Sequence, residues 1–415
     1  MGIPVNTMKW IDLHLGVPAC WCLTQARRIA GLFRGSLPAP GPIARILYIE
    51  LSEMGSMVAA GPVMRSFRDR HPDAQMFFLT FRQNRACLDV LQLVPPENVI
   101  TIETGNLAIF LRSLWAALRR MRRLRFDAVV DFELFSRISA ILAQLSGARL
   151  SVGFDRLSLE GLYRGHLKTH PVGYNHYAHI SRNFLSLLEA LDGAPLEQGL
   201  LKKRMEETPL PIPRPPRDEA RRAELWRRLQ TLCPALAARS RLVILNPNAG
   251  PLLPIRAWPL DRYIELTRRL LADPDVCVLV MGTAEASADA ARMVREITSP
   301  RLVDFTQKTA FEDLIPLFSL GDVLVTNDSG PAHFASLTDI ATVVFFGPET
   351  PDLYRPLTPR SHCFFAGYHC SPCLNAYNHR STRCTDNRCL QCIGVDEVEA
   401  KVREFLARDP VPPRP

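Results

Sequence analysis

Between residues 45 and 153, short apolar runs alternate with longer stretches in which apolar side chains recur every three or four positions. The runs are Ile46-Leu47-Tyr48-Ile49, Met76-Phe77-Phe78-Leu79, Val99-Ile100-Thr101-Ile102 and Ala128-Val129-Val130-Asp131-Phe132. Residues 57–70 and 107–124 carry the helical period, and a further amphipathic stretch at about residues 175–191 closes this half. Strands buried on both faces read as unbroken apolar runs, so strand and helix in alternation predict a parallel, doubly wound sheet.

The pattern breaks at Pro209-Leu210-Pro211-Ile212-Pro213-Arg214-Pro215-Pro216. Each proline removes a backbone donor and fixes φ, so this stretch fits neither a helix interior nor a central strand and reads as a linker. The alternation then restarts with Leu242-Val243-Ile244-Leu245, a helix over 260–271, a strand over 276–281, a helix over 286–297, Val323-Leu324-Val325 and a strand over 341–346. The expected fold is α/β, with two Rossmann-like doubly wound domains facing a cleft at the carboxyl ends of their strands. The expected divisions are an extension at 1–40, a first domain at 41–205, a proline-rich linker and connecting helix at 206–240, and a second domain at 241–415.

A length of 415 residues with 47% hydrophobic content supports two buried cores. The formal net charge of +8 points to an acidic partner or to a scatter of solvated arginines. No helix-turn-helix pattern, aromatic RNP box or zinc-finger spacing accompanies it, so nucleic acid is not an expected partner. No run of apolar residues is long enough to span a bilayer as a helix. The N-terminal run from Trp10 to Cys20 is broken by Asp12, His14 and Pro18 and is a poor secretion signal. Leu23, Ile29, Leu32 and Phe33 mixed with Arg27, Arg28 and Arg34 suit a helix lying at a lipid headgroup boundary; the alternative is a frayed extension. Of eleven cysteines, Cys87, Cys233 and Cys277 stand alone in ordinary segments, which fits buried thiols in a reducing compartment.

Val323-Leu324-Val325-Thr326-Asn327-Asp328-Ser329-Gly330-Pro331-Ala332-His333 is the most informative segment. An apolar strand runs into the capping residues Asp328 and Ser329, then Gly330, then a proline at a helix start. Amides at such a start favour a phosphate, with His333 close in sequence; an ordinary capped strand-turn-helix is the other reading. Asp-Ser-Gly-Pro-Ala-His resembles the signature of glycosyltransferase family 9, which includes the lipopolysaccharide heptosyltransferases. Ile46 to Ser56 is similar to that family's first strand and turn. Asn246-Pro247-Asn248-Ala249-Gly250 with Arg256-Ala257-Trp258-Pro259 is similar to its phosphate-contacting loop, and Val278-Leu279-Val280-Met281-Gly282 with Glu285 to its ribose-binding strand and acid.

The resemblance implies a GT-B fold and inverting transfer without a catalytic metal or other required cofactor. The donor would be a nucleotide-diphosphate sugar, ADP-heptose in this family, and the acceptor an anionic glycan or lipid-linked saccharide. Donor-binding residues would be Asn248, Gly250, Arg256, Gly282, Glu285, Asp328, Ser329, Gly330 and His333. Arg256 replaces a common lysine and suits two phosphate oxygens; a plain surface charge is its alternative, and a helix-start acid that of Glu285. The family's catalytic aspartate after the turn glycine is here Ser56, a poor base. Glu53 on the same turn is the substitute expected, with Ser56 beside it; a solvated loop acid or lost chemistry are the alternatives. The location implied is cytoplasmic, peripheral on the inner face of the cytoplasmic membrane.

A cysteine-rich loop at 363–392 contains Cys370-Ser371-Pro372-Cys373 and Cys389-Leu390-Gln391-Cys392, with Cys384 between. Two such pairs suit a structural zinc on Cys370, Cys373, Cys389 and Cys392; disulfides, an iron–sulfur cluster and free thiols remain open. The expected role is to brace a loop. Two further functions fit the sequence: a nucleotide-sugar epimerase, and a non-catalytic protein that binds nucleotide sugar or glycan.

Overall fold

The computed structural model describes residues 5–32, 41–156, 160–193, 199–205, 210, 212–250, 253–408, 412 and 414–415. The chain divides into two compact units, Met1–Pro213 and Arg214–Pro415.

The first unit begins with α1 (Val5–His14) and α2 (Gly16–Leu32), then follows β1 (Arg45–Ile49), α3 (Met54–Arg70), β2 (Gln75–Phe81), α4 (Arg85–Leu91), β3 (Val99–Ile102) and α5 (Leu107–Leu124). It continues with β4 (Ala128–Asp131), α6 (Arg137–Ser146), β5 (Leu150–Asp155), β6 (His170–Gly173) and α7 (Ile180–Leu191). All strand pairs are parallel, in the order β3-β2-β1-β4-β5-β6. Alternate strand residues serve opposite faces. Leu47, Leu79 and Val129 pack with Ala117 and Met121 of α5 and Leu142 of α6. On the other face Tyr48 packs edge-on to Phe67 of α3 and stacks on Phe132, which meets Phe184 of α7.

Residues 5–32 of the expected extension are helical and docked rather than frayed. Asp12 accepts from the backbone N–H of Arg137 and Ile138 at 3.0 and 2.9 Å, so it caps α6 from outside, and it pairs with the Arg137 guanidinium at 3.3 Å. Cys20 packs with Ala140 and Leu167, and Thr24 Oγ1 accepts from His166 N at 3.0 Å. Phe33 and Arg34 of the expected interfacial stretch lie outside the described residues.

The second unit runs α8 (Glu219–Leu232), β7 (Arg241–Asn246), α9 (Leu260–Leu270), β8 (Val276–Val280), α10 (Ser287–Glu296), β9 (Leu302–Asp304), α11 (Leu314–Phe318) and β10 (Val323–Asn327). It ends with α12 (Gly330–Ala335), β11 (Ala341–Phe346), α13 (Pro351–Tyr354), β12 (Ser361–Phe365), α14 (Arg388–Gln391) and α15 (Val395–Arg408). The parallel order is β12-β11-β10-β7-β8-β9, the same winding as in the first unit. α8, expected as a connecting helix, buries Leu225, Trp226 and Leu229, and Arg221 on it bonds Asp313 at 2.5 Å, so it belongs to this unit's packing. Pro209 and Pro211 of the expected linker lie outside the described residues.

Candidate active site

In each unit the chain reverses its direction of winding between two adjacent central strands, β1 and β4 in the first, β7 and β10 in the second. The loops leaving the carboxyl ends of such a pair diverge, and open α/β sheets bind ligands there.

At the β7/β10 point, Asn246 Nδ2 donates to Thr326 Oγ1 at 3.0 Å, tying the two strand ends together. Asn248 Oδ1 accepts from Gly250 N at 2.6 Å, closing a turn in which Gly250 has φ +78°, a conformation natural to glycine. Asn327 is wholly internal: its Oδ1 accepts from Trp258 N at 2.8 Å, and its Nδ2 donates to Pro247 O at 2.8 Å. This brings the turn holding Arg256 against the loop after β10. Arg256 Nη1 lies 3.2 Å from Asp328 Oδ2, while its Nε is buried with no hydrogen-bond partner among the described residues. Ser329 begins α12 with no side-chain cap, and its Oγ donates to Asn327 O at 3.2 Å. His333 is buried on α12.

β8 contributes Gly282, where a Cβ would fall 2.4 Å from that of Ala286, so no side chain fits as the chain now runs. Glu285 is exposed and bonded by Thr283 Oγ1; that bond holds its carboxyl below the usual range. Asn248 Nδ2 reaches Glu285 O at 3.4 Å. The loops after β7, β8 and β10 therefore bring together Asn248, Gly250, Arg256, Gly282, Glu285, Asp328, Ser329, Gly330 and His333 on one edge of the sheet.

Sequence reasoning missed what holds the Arg256 turn from behind. Asn387 Nδ2 donates to Ile255 O at 3.0 Å and Ala257 O at 2.8 Å. Ile393 O accepts from Trp258 Nε1 at 3.1 Å and Arg262 Nη1 at 2.9 Å. Both residues belong to the segment around α14. The cysteines of that segment form no disulfide, and as the chain stands no three of His, Cys, Asp and Glu among the described residues are grouped to hold a metal ion. Cys389 serves as a core residue, its Sγ filling the space over Gly347. Burial first, then Cys373, Cys370 and Cys384, push its thiol up to about 11. Cys392 is exposed and bonds the Tyr368 side chain.

At the β1/β4 point of the first unit lies a group of acids. Ser56 Oγ donates to Glu53 Oε2 at 2.9 Å, so the two expected catalytic residues form a pair. Behind them are two acids that sequence reasoning overlooked. Glu50 Oε1 accepts from Glu53 N at 3.1 Å; Glu133 Oε1 accepts from Leu51 N at 2.8 Å and Ser52 Oγ at 3.0 Å. Burial raises the Glu50 carboxyl well above its ordinary value, and repulsion by Glu133 and Glu53 adds to this. Glu133 is raised likewise by burial and by Glu53. One layer deeper, Asp131 Oδ2 accepts from Arg164 at 2.5 Å and Lys168 at 2.6 Å. Burial alone would raise Asp131, yet these cations hold it below its usual range, while burial drops Lys168 to about 8. The signal was present: Glu50 and Asp131 each end an apolar strand at the winding reversal.

Two Rossmann-like units of identical winding, each with its polar residues at the reversal point, define a GT-B protein. The chain belongs to glycosyltransferase family 9 (heptosyltransferase), whose sequence model matches residues 114–382. Lipopolysaccharide heptosyltransferase 3 of Escherichia coli is 22% identical over 75% of this chain and 86% of its own length. Lipopolysaccharide heptosyltransferase 2 of Salmonella typhimurium is 27% identical over 28% of this chain; that match spans about a third (34%) of the relative's length. Among solved structures, ADP-heptose lipopolysaccharide heptosyltransferase II of E. coli superposes with TM-score 0.68 at 18% identity, covering 88% of this chain and 99% of that one. E. coli heptosyltransferase WaaC with ADP gives 0.62 at 15% identity, covering 87% and 99%.

Proposed function

We propose that this chain moves a heptose from ADP-heptose to an anionic, lipid-linked saccharide of the lipopolysaccharide core, with inversion at the sugar's anomeric carbon and no metal in the chemistry. The observation that carries this reading is Arg256, held beside the loops after β7 and β10 with a buried Nε unspent.

As the bond from C1 to the diphosphate breaks, negative charge grows on the leaving oxygens. A fixed guanidinium and the amides at Ser329 and Gly330 lower that transition state more than the ground state. Asp328 orients the guanidinium from one side. Glu285, exposed and ionised, is suited to accept from ribose hydroxyls. In the first unit Glu53 takes the proton of the acceptor hydroxyl as its oxygen bonds to C1. Ser56, donating to Glu53, fixes which carboxylate oxygen faces the acceptor. The buried Glu50 and Glu133 hold the backbone of the Glu53 loop in place. An acceptor anchored in lipid places the enzyme at the cytoplasmic face of a membrane.

Calorimetry with ADP, UDP and GDP, followed by ADP release in the presence of a core acceptor, tests the reading. We expect ADP to bind, and Arg256→Ala and Asp328→Ala each to weaken it at least about tenfold, the loss of one charge-assisted contact. Binding without turnover on any core acceptor would leave a non-catalytic nucleotide-sugar protein. No binding of any diphosphate would remove the donor site altogether.

A further inference from the structure

We propose that α5, together with α1 and α2, is the surface by which the first unit docks on an anionic lipid bilayer. This deepens the membrane-side reading above by naming the face that makes the contact.

α5 is apolar on two sides. Its inward stripe, Leu114, Ala117, Leu118, Met121 and Leu124, packs on the sheet. A helix at a protein surface normally shows water a polar face opposite such a stripe. Here Leu107, Leu111 and Trp115, each one turn beyond the last, are 59%, 54% and 59% exposed. Arg119 follows, with its guanidinium carbon 4.3 Å from the Trp115 ring centroid, and then Arg123, also exposed. α1 and α2 pack against α6, which packs against α5, so the four helices form one contiguous group. That group also exposes Trp10, Leu15, Trp21 and Ile29.

Charge decides the occupant. Neither α5 nor α2 contains an acidic residue, and the single acid of α1, Asp12, is committed to Arg137 and the start of α6. The three helices thus carry eight lysines and arginines against one aspartate, in a chain whose formal net charge is +8. A second copy of this face would set like charge against like. An anionic bilayer meets both features, since indole rings and leucines enter the headgroup region while arginines reach lipid phosphates from the same helix. Among the described residues no helix is long and apolar enough to cross the membrane, so the contact is an in-plane one.

The test is co-sedimentation of the full chain with vesicles of phosphatidylcholine alone and with one third phosphatidylglycerol. Leu111→Glu/Trp115→Glu and Arg119→Glu/Arg123→Glu alter only exposed side chains, and circular dichroism melts confirm that each variant folds. Expected is wild-type binding to the anionic vesicles alone, reduced by salt, with each double variant at least about tenfold weaker. Sugar transfer to a delipidated acceptor should be unchanged in both. If the variants partition as the wild type does, or if binding ignores lipid charge, the proposal is overturned. A dimer that the Leu111/Trp115 variant dissolves, with vesicle binding intact, overturns it equally. Transfer to the delipidated acceptor that fails even in the wild type would instead strike at the enzymatic reading, whatever the vesicles show.

Discussion

Asn387→Ala should weaken donor binding without touching any donor-binding side chain. The Asn387 amide donates to the carbonyls on either side of Arg256, at 3.0 and 2.8 Å. A hydrogen bond of this kind is worth about 0.5–1.5 kcal/mol net, so the turn stands to lose about 1–3 kcal/mol of local stability. Two anchors survive, Trp258 N on Asn327 Oδ1 and Trp258 Nε1 on Ile393 O. They confine the loss to the lower part of that span, on the order of tenfold in the dissociation constant for ADP. The effect cannot exceed what Arg256 itself contributes, because a displaced turn can forfeit no more than that contact. Asn387→Ala should therefore add little in an Arg256→Ala background, a coupling that a double-mutant cycle in the calorimeter reads directly. Single-variant affinity within twofold of wild type, or fully additive losses, would refute the idea that the cysteine-rich segment positions Arg256.

Two other expectations follow from the same geometry. Glu50→Gln should flatten the pH dependence of thermal stability. The folded carboxyl is raised by burial and by Glu133, so its stabilising contribution is present at low pH and lost as pH climbs through the raised value. Melting curves from pH 5 to 9 on both proteins check this, and parallel declines would count against it. Gly282→Ala should lower stability by about 1–3 kcal/mol, the usual cost of overpacking, because its methyl meets Ala286 at 2.4 Å. A chemical denaturation midpoint unchanged from wild type would show that α10 yields freely.

The alternation of runs and periods was legible because a parallel sheet covered on both faces demands it. Residues 107–124 and 341–346 coincide with α5 and β11 to the residue. Short edge strands gave no such run: β6 is His170-Pro171-Val172-Gly173, and β12 opens with Ser361-His362. The docking of α1 and α2 hinges on Asp12 and Arg137, two residues 125 apart that no local pattern links. In the second unit the residues expected to meet a phosphate were picked out by their motifs. Asn387 was not, because it acts through backbone carbonyls that any sequence would supply. Cysteine spacing records that the two sulfurs of each pair can face one point, not what they hold there. Cys389 turned inward because Gly347 left room for it.

Asp12 also has a bearing on how this chain can be shortened. Arg137 is only 3% exposed, and Gly16 packs directly over its side chain, so losing residues 5–32 would take away both its cover and its carboxylate partner. The amides at the start of α6 would lose their acceptor at the same moment. The first helices are thus bound into the domain's folding unit, and a truncation that removes them also uncaps α6.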